Sequence, residues 1–233
     1  MKERTFMKIN NGDILSVELL NQLYMFLQII YQIPRINSQK AEKISERSLL
    51  NDFIRWYPGF YIANIFTQIS KENELKNRNL MFKGILLPRN SFKDINYKII
   101  SQNKITVEDI EFPETIDANR NDGFTLKRGE LKITIIEYDK IKKYPQEFIQ
   151  ELENGPSIGF MDIYSLGDSV LYLQNRKNEL QRKYFDGWNF YPNDLKYYPE
   201  LRDKVYKIIK ENPNETYYKL SLKYGFDLNK IYE

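Results

Sequence analysis

The chain has 233 residues, 42% of them apolar, and a formal net charge of only +3. That length and apolar content fit one substantial core with room for a small appended module. It contains no Cys and no His, which excludes zinc fingers, Cys or His nucleophiles, His-containing triads and His-based nucleases, so any metal must be held by oxygen.

From Gln174 onward, 12 Lys/Arg meet 9 Asp/Glu; that tail carries the whole positive excess, and the preceding part is neutral. A phosphate-binding surface must therefore be local or built by dimerisation. The absence of Cys fits an intracellular, cytoplasmic protein without disulfides. Met1 to Asn11 is polar and charged, unlike a signal peptide. The longest apolar stretch, Leu19 to Ile33, is interrupted by Asn21, Gln22, Gln28 and Gln32 and is too short to span a bilayer, so no membrane association is expected.

In chain order, Asn11-Gly12-Asp13 turns into a predicted helix capped by Ser16. Val17, Leu20, Leu23, Tyr24, Leu27, Ile30 and Tyr31 recur at helical spacing, and Pro34 ends the element. Its apolar stripe serves either core packing or a homodimer contact. A second helix is predicted from Ser38 to Trp56, stopped by Pro58-Gly59, and a third from Phe60 to about Lys76 on Ile62, Ile65, Phe66 and Ile69. The period then changes. Leu80 to Leu87, ended by Pro88, reads as a short buried strand, with Tyr97 to Ile100 and Ile105 to Val107 as further short strands.

Asn121 to Asp139 carries a hairpin pattern. Gly123 to Leu126 and Glu130 to Glu137 flank Lys127-Arg128-Gly129, a loop length that favours Gly before the return strand. With Leu126 opposite Glu130, Phe124 faces Lys132 and Asp122 faces Thr134. Asp122, Glu130 and Lys132 then share one face, while Leu131, Ile133 and Ile135 take the other. Two carboxylates on adjacent strands offer hard oxygen ligands for Mg²⁺ or Mn²⁺, and a Lys on the same face can sit beside a water or a scissile phosphate. The same charges also suit a solvated ribbon with a cross-strand ion pair. In a flat hairpin the two carboxylates stand on the order of 13 Å apart, so sharing an ion requires strong twist, a bulge at Gly123, or Asp117 in place of one of them.

Asp122, Glu130 and Lys132 resemble the motif of the PD-(D/E)XK nuclease superfamily, with Asn121 where the family usually has Pro. The short gap looks most like the phage exonucleases and Holliday-junction resolvases, and the Lys/Ile/Asn/Tyr-rich composition is similar to nuclease-like proteins of archaeal spindle-shaped viruses. The resemblance implies an α/β, restriction-endonuclease-like core: a mixed central sheet flanked by helices. It also implies Mg²⁺-dependent (or Mn²⁺-dependent) hydrolysis of DNA by Asp122, Glu130 and Lys132, with Glu46 supplied from a helix before the sheet. Arg120, beside the motif, is a candidate DNA contact.

Beyond the hairpin, Tyr144 to Glu153 is predicted as a helix and Ser157 to Tyr164 as a strand, a pair that implies a parallel crossover. A helix follows from Asp168 to Phe185, and Asp186-Gly187 is the expected boundary between an α/β domain (1–186) and a C-terminal helical module (187–233). In that module Leu201 to Lys210, Asn214 to Tyr224 and Phe226 to Tyr232 read as helices. The last two resemble a helix-turn-helix, with Gly225 at the turn. Lys219, Lys223 and Lys230 are its candidate DNA contacts, and a packing module without DNA contact is the alternative. The module also supports a rival to the nuclease: a non-enzymatic DNA-binding regulator or viral accessory protein.

Overall fold

A computed structural model of the chain describes residues 8–35, 53, 56–119, 122–157, 161–181 and 192–231. Asn11 and Gly12 turn the chain into a strand where a helix is predicted. Strand β1 (Asp13–Glu18) reverses through a turn in which Gln22 has φ +60° and returns as β2 (Tyr24–Gln32). The third predicted helix is also a strand, β3 (Tyr61–Ser70). With β4 (Leu80–Leu87) and β5 (Tyr97–Gln102), both close to their predicted positions, these form a five-stranded sheet in the order β4-β3-β2-β1-β5. The predicted strand at Ile105 to Val107 is absent, and Val107–Asp109 is one turn of 3₁₀ helix.

The two helix predictions fail for a physical reason. A strand buried on both faces reads as a continuous apolar run, and every residue of β2 from Met25 to Tyr31 is buried. Register shifts interrupt the β2–β3 and β3–β4 ladders, including those between Ala63 and Ile65 and between Ile65 and Phe66. At both of these shifts the extra residue lies on β4, where Ala63, Ile65 and Phe66 pair with Ile85, Phe82 and Leu80. In β3 itself Ile65 and Ile69 pack in one apolar cluster and Ile62 and Phe66 in two others, so burial on both faces of the strand gives the apolar positions a helix-like spacing. The apolar stripe expected to offer a dimer surface lies mostly inside the chain's own core, with Val17, Leu23, Leu27 and Ile30 all buried.

A second antiparallel sheet, β6-β7-β8, comprises β6 (Glu114–Asn119), β7 (Gly123–Arg128) and β8 (Leu131–Ile136). The predicted hairpin is present, but its turn has two residues, Gly129-Glu130, where three are predicted. Gly129, at φ +56°, is the first of the two, the position where a type II′ turn requires Gly. A Cβ there would also lie 2.7 Å from the Phe112 ring and 2.9 Å from the Tyr217 ring. The shorter turn resets the register: Arg128 pairs Leu131, Lys127 pairs Lys132 and Leu126 pairs Ile133.

Helix α1 (Gln146–Glu153) starts after Pro145 as predicted. Helix α2 (Ile163–Leu173) begins earlier than its prediction because the Asp162 carboxylate accepts from the backbone N–H groups of Tyr164 and Ser165, an N-cap. Ile163 and Tyr164, expected at the end of a strand, are therefore helical. All strand pairs among the described residues are antiparallel. Helices α3 (Pro199–Ile209), α4 (Tyr217–Lys223) and α5 (Leu228–Ile231) follow, close to the predicted tail helices. The chain is thus of mixed α and β class.

Two apolar clusters hold these layers together. One joins Ile30, Ile62 and Leu86 of the large sheet to Leu126, Leu131 and Ile133 of the hairpin and to Tyr206, Tyr217 and Leu220 of the C-terminal helices. The other lies between the opposite face of the large sheet and α2, where Ile163, Leu166, Val170 and Leu171 meet Leu15, Leu27 and Ile65. The predicted domain boundary falls outside the described residues.

Candidate functional site

The structure does not bring the hairpin triad together. Asp122 is exposed before β7, where its carboxylate accepts from the Asn119 side-chain amide at 2.8 Å. Glu130 lies beyond the other end of that strand and is buried, with its backbone N–H donating to the Tyr217 hydroxyl at 3.2 Å. Six strand residues separate the two acids, on the order of 20 Å at about 3.4 Å per residue. Lys132 is exposed and faces Lys127 across the ladder, while Lys127 pairs with Asp117 at 2.7 Å. Asp122 and Glu130 thus do not fit one divalent ion. Glu46 and Arg120 lie outside the described residues.

The inner face of the hairpin instead carries a buried ionic cluster. Glu114, wholly buried, accepts from Arg202 Nε at 2.6 Å, Arg202 Nη2 at 2.8 Å and the Tyr206 hydroxyl at 3.0 Å, and it faces Arg128 Nε at 3.4 Å. Arg128, also buried, donates through Nη2 to Glu111 at 2.6 Å and to the Glu215 carbonyl at 2.9 Å. Burial alone would push the Glu114 carboxyl up. The hydrogen bonds from Arg202 and the charges of Arg128, Arg202 and Lys196 outweigh it and hold the group below its ordinary range. These charges satisfy one another, and the cluster ties α3 and the approach to α4 onto the hairpin.

A different place gathers cations. A cavity of about 650 Å³ is lined by Lys8, Arg35, Arg89 and Lys93, with no carboxylate among the described residues of its lining. Its construction follows from the sheet. Strands β2 and β4 both run antiparallel to β3, so their C-terminal ends flank the start of β3. Both end in an apolar-Pro-Arg sequence, Ile33-Pro34-Arg35 and Leu87-Pro88-Arg89. Proline has no N–H to extend a ladder and stops each strand. Tyr61, the first residue of β3, pairs with Gln32 on one side and Leu87 on the other, so the two arginines leave the sheet on either side of it.

The electrostatics agree with that placement. Burial pushes the Tyr61 hydroxyl up, and the charges of Arg89 and Arg35 pull it back, so both guanidinium groups bear on one phenol. Burial and the Tyr61 phenol push up the Tyr97 hydroxyl, again opposed by Arg89. Tyr61, Phe92 and Tyr97 form a row of edge-to-face rings with centroids 5.6 and 5.7 Å apart. Arg35 lies close across Gly59: a Cβ on that residue, at φ +78°, would stand 2.6 Å from Arg35 Nε. The repeated Pro-Arg pair was visible in the sequence, but its meaning depended on the strand order.

In the C-terminal module, Ser221 is buried, Gly225 has φ +76°, and the Phe226 N–H donates to the Ser221 carbonyl at 2.8 Å. The predicted turn is therefore present. Lys219 is exposed and Lys223 pairs with Glu211, whereas the side chain of Lys230 lies outside the described residues. Among the described residues, no helix is long and apolar enough to cross a membrane. No family model, curated protein or solved structure matches this chain.

Proposed function

We propose that the protein binds DNA through the basic cavity at the ends of β2 and β4. The observation that carries this reading is the twin Pro-Arg termini, which deliver Arg35 and Arg89 to either side of Tyr61 in a lining whose described residues include two lysines and no carboxylate. Arginine presents planar, bidentate donors matched to phosphate oxygens, and a local cluster of four cations meets the need set by a nearly neutral chain.

The test is fluorescence anisotropy of labelled DNA titrated with protein at several salt concentrations. Arg35→Ala combined with Arg89→Ala is expected to weaken binding and to reduce the slope of log affinity against log salt by about 1.5 to 2, since two phosphate contacts release fewer counterions. Unchanged affinity and slope in that double variant would remove the cavity from DNA binding. Incubating the DNA with Mg²⁺ or with EDTA in the same experiment tests the metal-dependent nuclease implied by the hairpin's resemblance to proteins with a restriction-endonuclease-like core. Cleavage that requires the ion would restore that reading.

A further inference from the structure

We infer that the cavity recognises a phosphomonoester on a nucleoside, met either as the 5′-phosphorylated end of a DNA strand or as a free nucleotide. This rests on the proposed DNA-binding reading and narrows it to one chemical group.

The cavity is an open depression with Lys8, Arg35, Arg89 and Lys93 exposed around it, and its volume of about 650 Å³ falls in the range of small-molecule sites, about 300 to 1,000 Å³. A binding surface for the interior of a strand would instead be a groove that tracks successive phosphates. Charge selects within that range. An internal phosphodiester carries one negative charge, whereas a monoester carries about 1.5 to 2 at neutral pH with three strong acceptor oxygens. Arg35 and Arg89 on either side of Tyr61, with Lys8 and Lys93 in the same lining, supply more positive charge than a single diester would neutralise.

The remaining lining suits the rest of a nucleotide. Gln32 and Asn90 add side-chain amides, which both donate and accept and so can meet a sugar hydroxyl or a base edge. Tyr97, half-buried at the end of the ring row, offers an aromatic surface to a base. The twin strand ends would thus hold the phosphate, and the ring row would lie beside the nucleoside.

The experiment compares one short single-stranded oligonucleotide with a 5′-phosphate against the same strand with a 5′-hydroxyl. Adenosine monophosphate and inorganic phosphate serve as competitors. Proteins are the parent, Arg89→Ala, Arg35→Ala and the conservative Arg89→Lys, each checked for an unchanged thermal melt. The expected result is about tenfold tighter binding of the phosphorylated strand, the scale of one charge-assisted contact. That preference should disappear in both alanine variants and return in part with Arg89→Lys, and the monophosphate should compete better than inorganic phosphate.

Equal affinity for the two strands, weakened alike by the arginine variants, would overturn this inference and leave the DNA-binding proposal standing. Arginine-dependent binding of the monophosphate without binding of either strand would keep the nucleotide as ligand and overturn DNA binding. Binding of neither strand and no nucleotide would overturn both.

Discussion

Replacing Glu114 by Gln keeps the side-chain volume and removes one charge from the wholly buried carboxylate of β6. In the parent, the carboxylate accepts three hydrogen bonds, two from Arg202 and one from Tyr206, and faces Arg128 at 3.4 Å. Taking away one partner of a buried ion pair strands the other and costs about 3 to 5 kcal/mol. Here Arg128 retains Glu111 and the Glu215 carbonyl, and Arg202 retains the Pro213 carbonyl, so the lower end, about 3 kcal/mol, is expected. That is a large share of the roughly 5 to 15 kcal/mol that a domain has.

Urea unfolding followed by circular dichroism would read this as a lowered midpoint. The pH dependence adds a second signature. Glu114 has its folded pKa held below the ordinary value of 4.5, so its contribution is complete above that value and is lost as pH falls through the folded pKa. Acidification should therefore destabilise the parent more than Glu114→Gln. A loss under about 1 kcal/mol, the value of an exposed pair, together with parallel acid limbs, would refute the assignment of Glu114 as the buried tie.

Gly129→Ala should cost about 1 to 3 kcal/mol, since a Cβ at positive φ would press on two rings; an unchanged thermal midpoint would contradict the turn geometry. Asp122→Ala and Lys132→Ala, both at exposed positions, should stay within about 0.5 kcal/mol of the parent in the same melt, and a larger loss in either would mean that the hairpin face is structural. If the cavity is the DNA contact, Lys219→Ala with Lys223→Ala should leave the salt slope of DNA binding unchanged. A slope reduced by about 1.5 to 2 would move the contact to the C-terminal helices.

Sequence patterns located β4, the hairpin and α1 because each has a boundary set by local chemistry: Pro88 after β4, Gly129 in the turn and Pro145 before α1. Where burial is two-sided, local patterns lose their meaning. Leu27 and Ile29 on one face and Phe26 and Ile30 on the other leave no alternation to read, and in β3 the buried Ile62 and Phe66 on one face with Ile65 and Ile69 on the other imitate a helical period. The triad pattern assumes a turn one residue too long, in a register that already sets its carboxylates on the order of 13 Å apart. With Gly129-Glu130 as the turn, Glu130 leaves the strand and Lys132 moves opposite Lys127. Arg35 and Arg89 are 54 positions apart in the chain, and only the adjacency of β2 and β4 to β3 makes them neighbours.

The ion pairs across the hairpin also constrain the order in which the chain can mature. Arg128 and Glu114 meet partners 78 to 92 residues further along, at Tyr206, Arg202 and Glu215. Emerging from the ribosome N-terminus first, β6 to β8 would carry the charges of Glu114 and Arg128 without those late partners, and they could not be buried at low cost. The five-stranded sheet, whose ladder lies entirely within residues 13–102, needs no late ionic partner to pair its strands, but its apolar faces wait for α2 and the C-terminal helices to cover them. Its strands can pair early, and the small sheet would become native only once the segment through Glu215 has arrived.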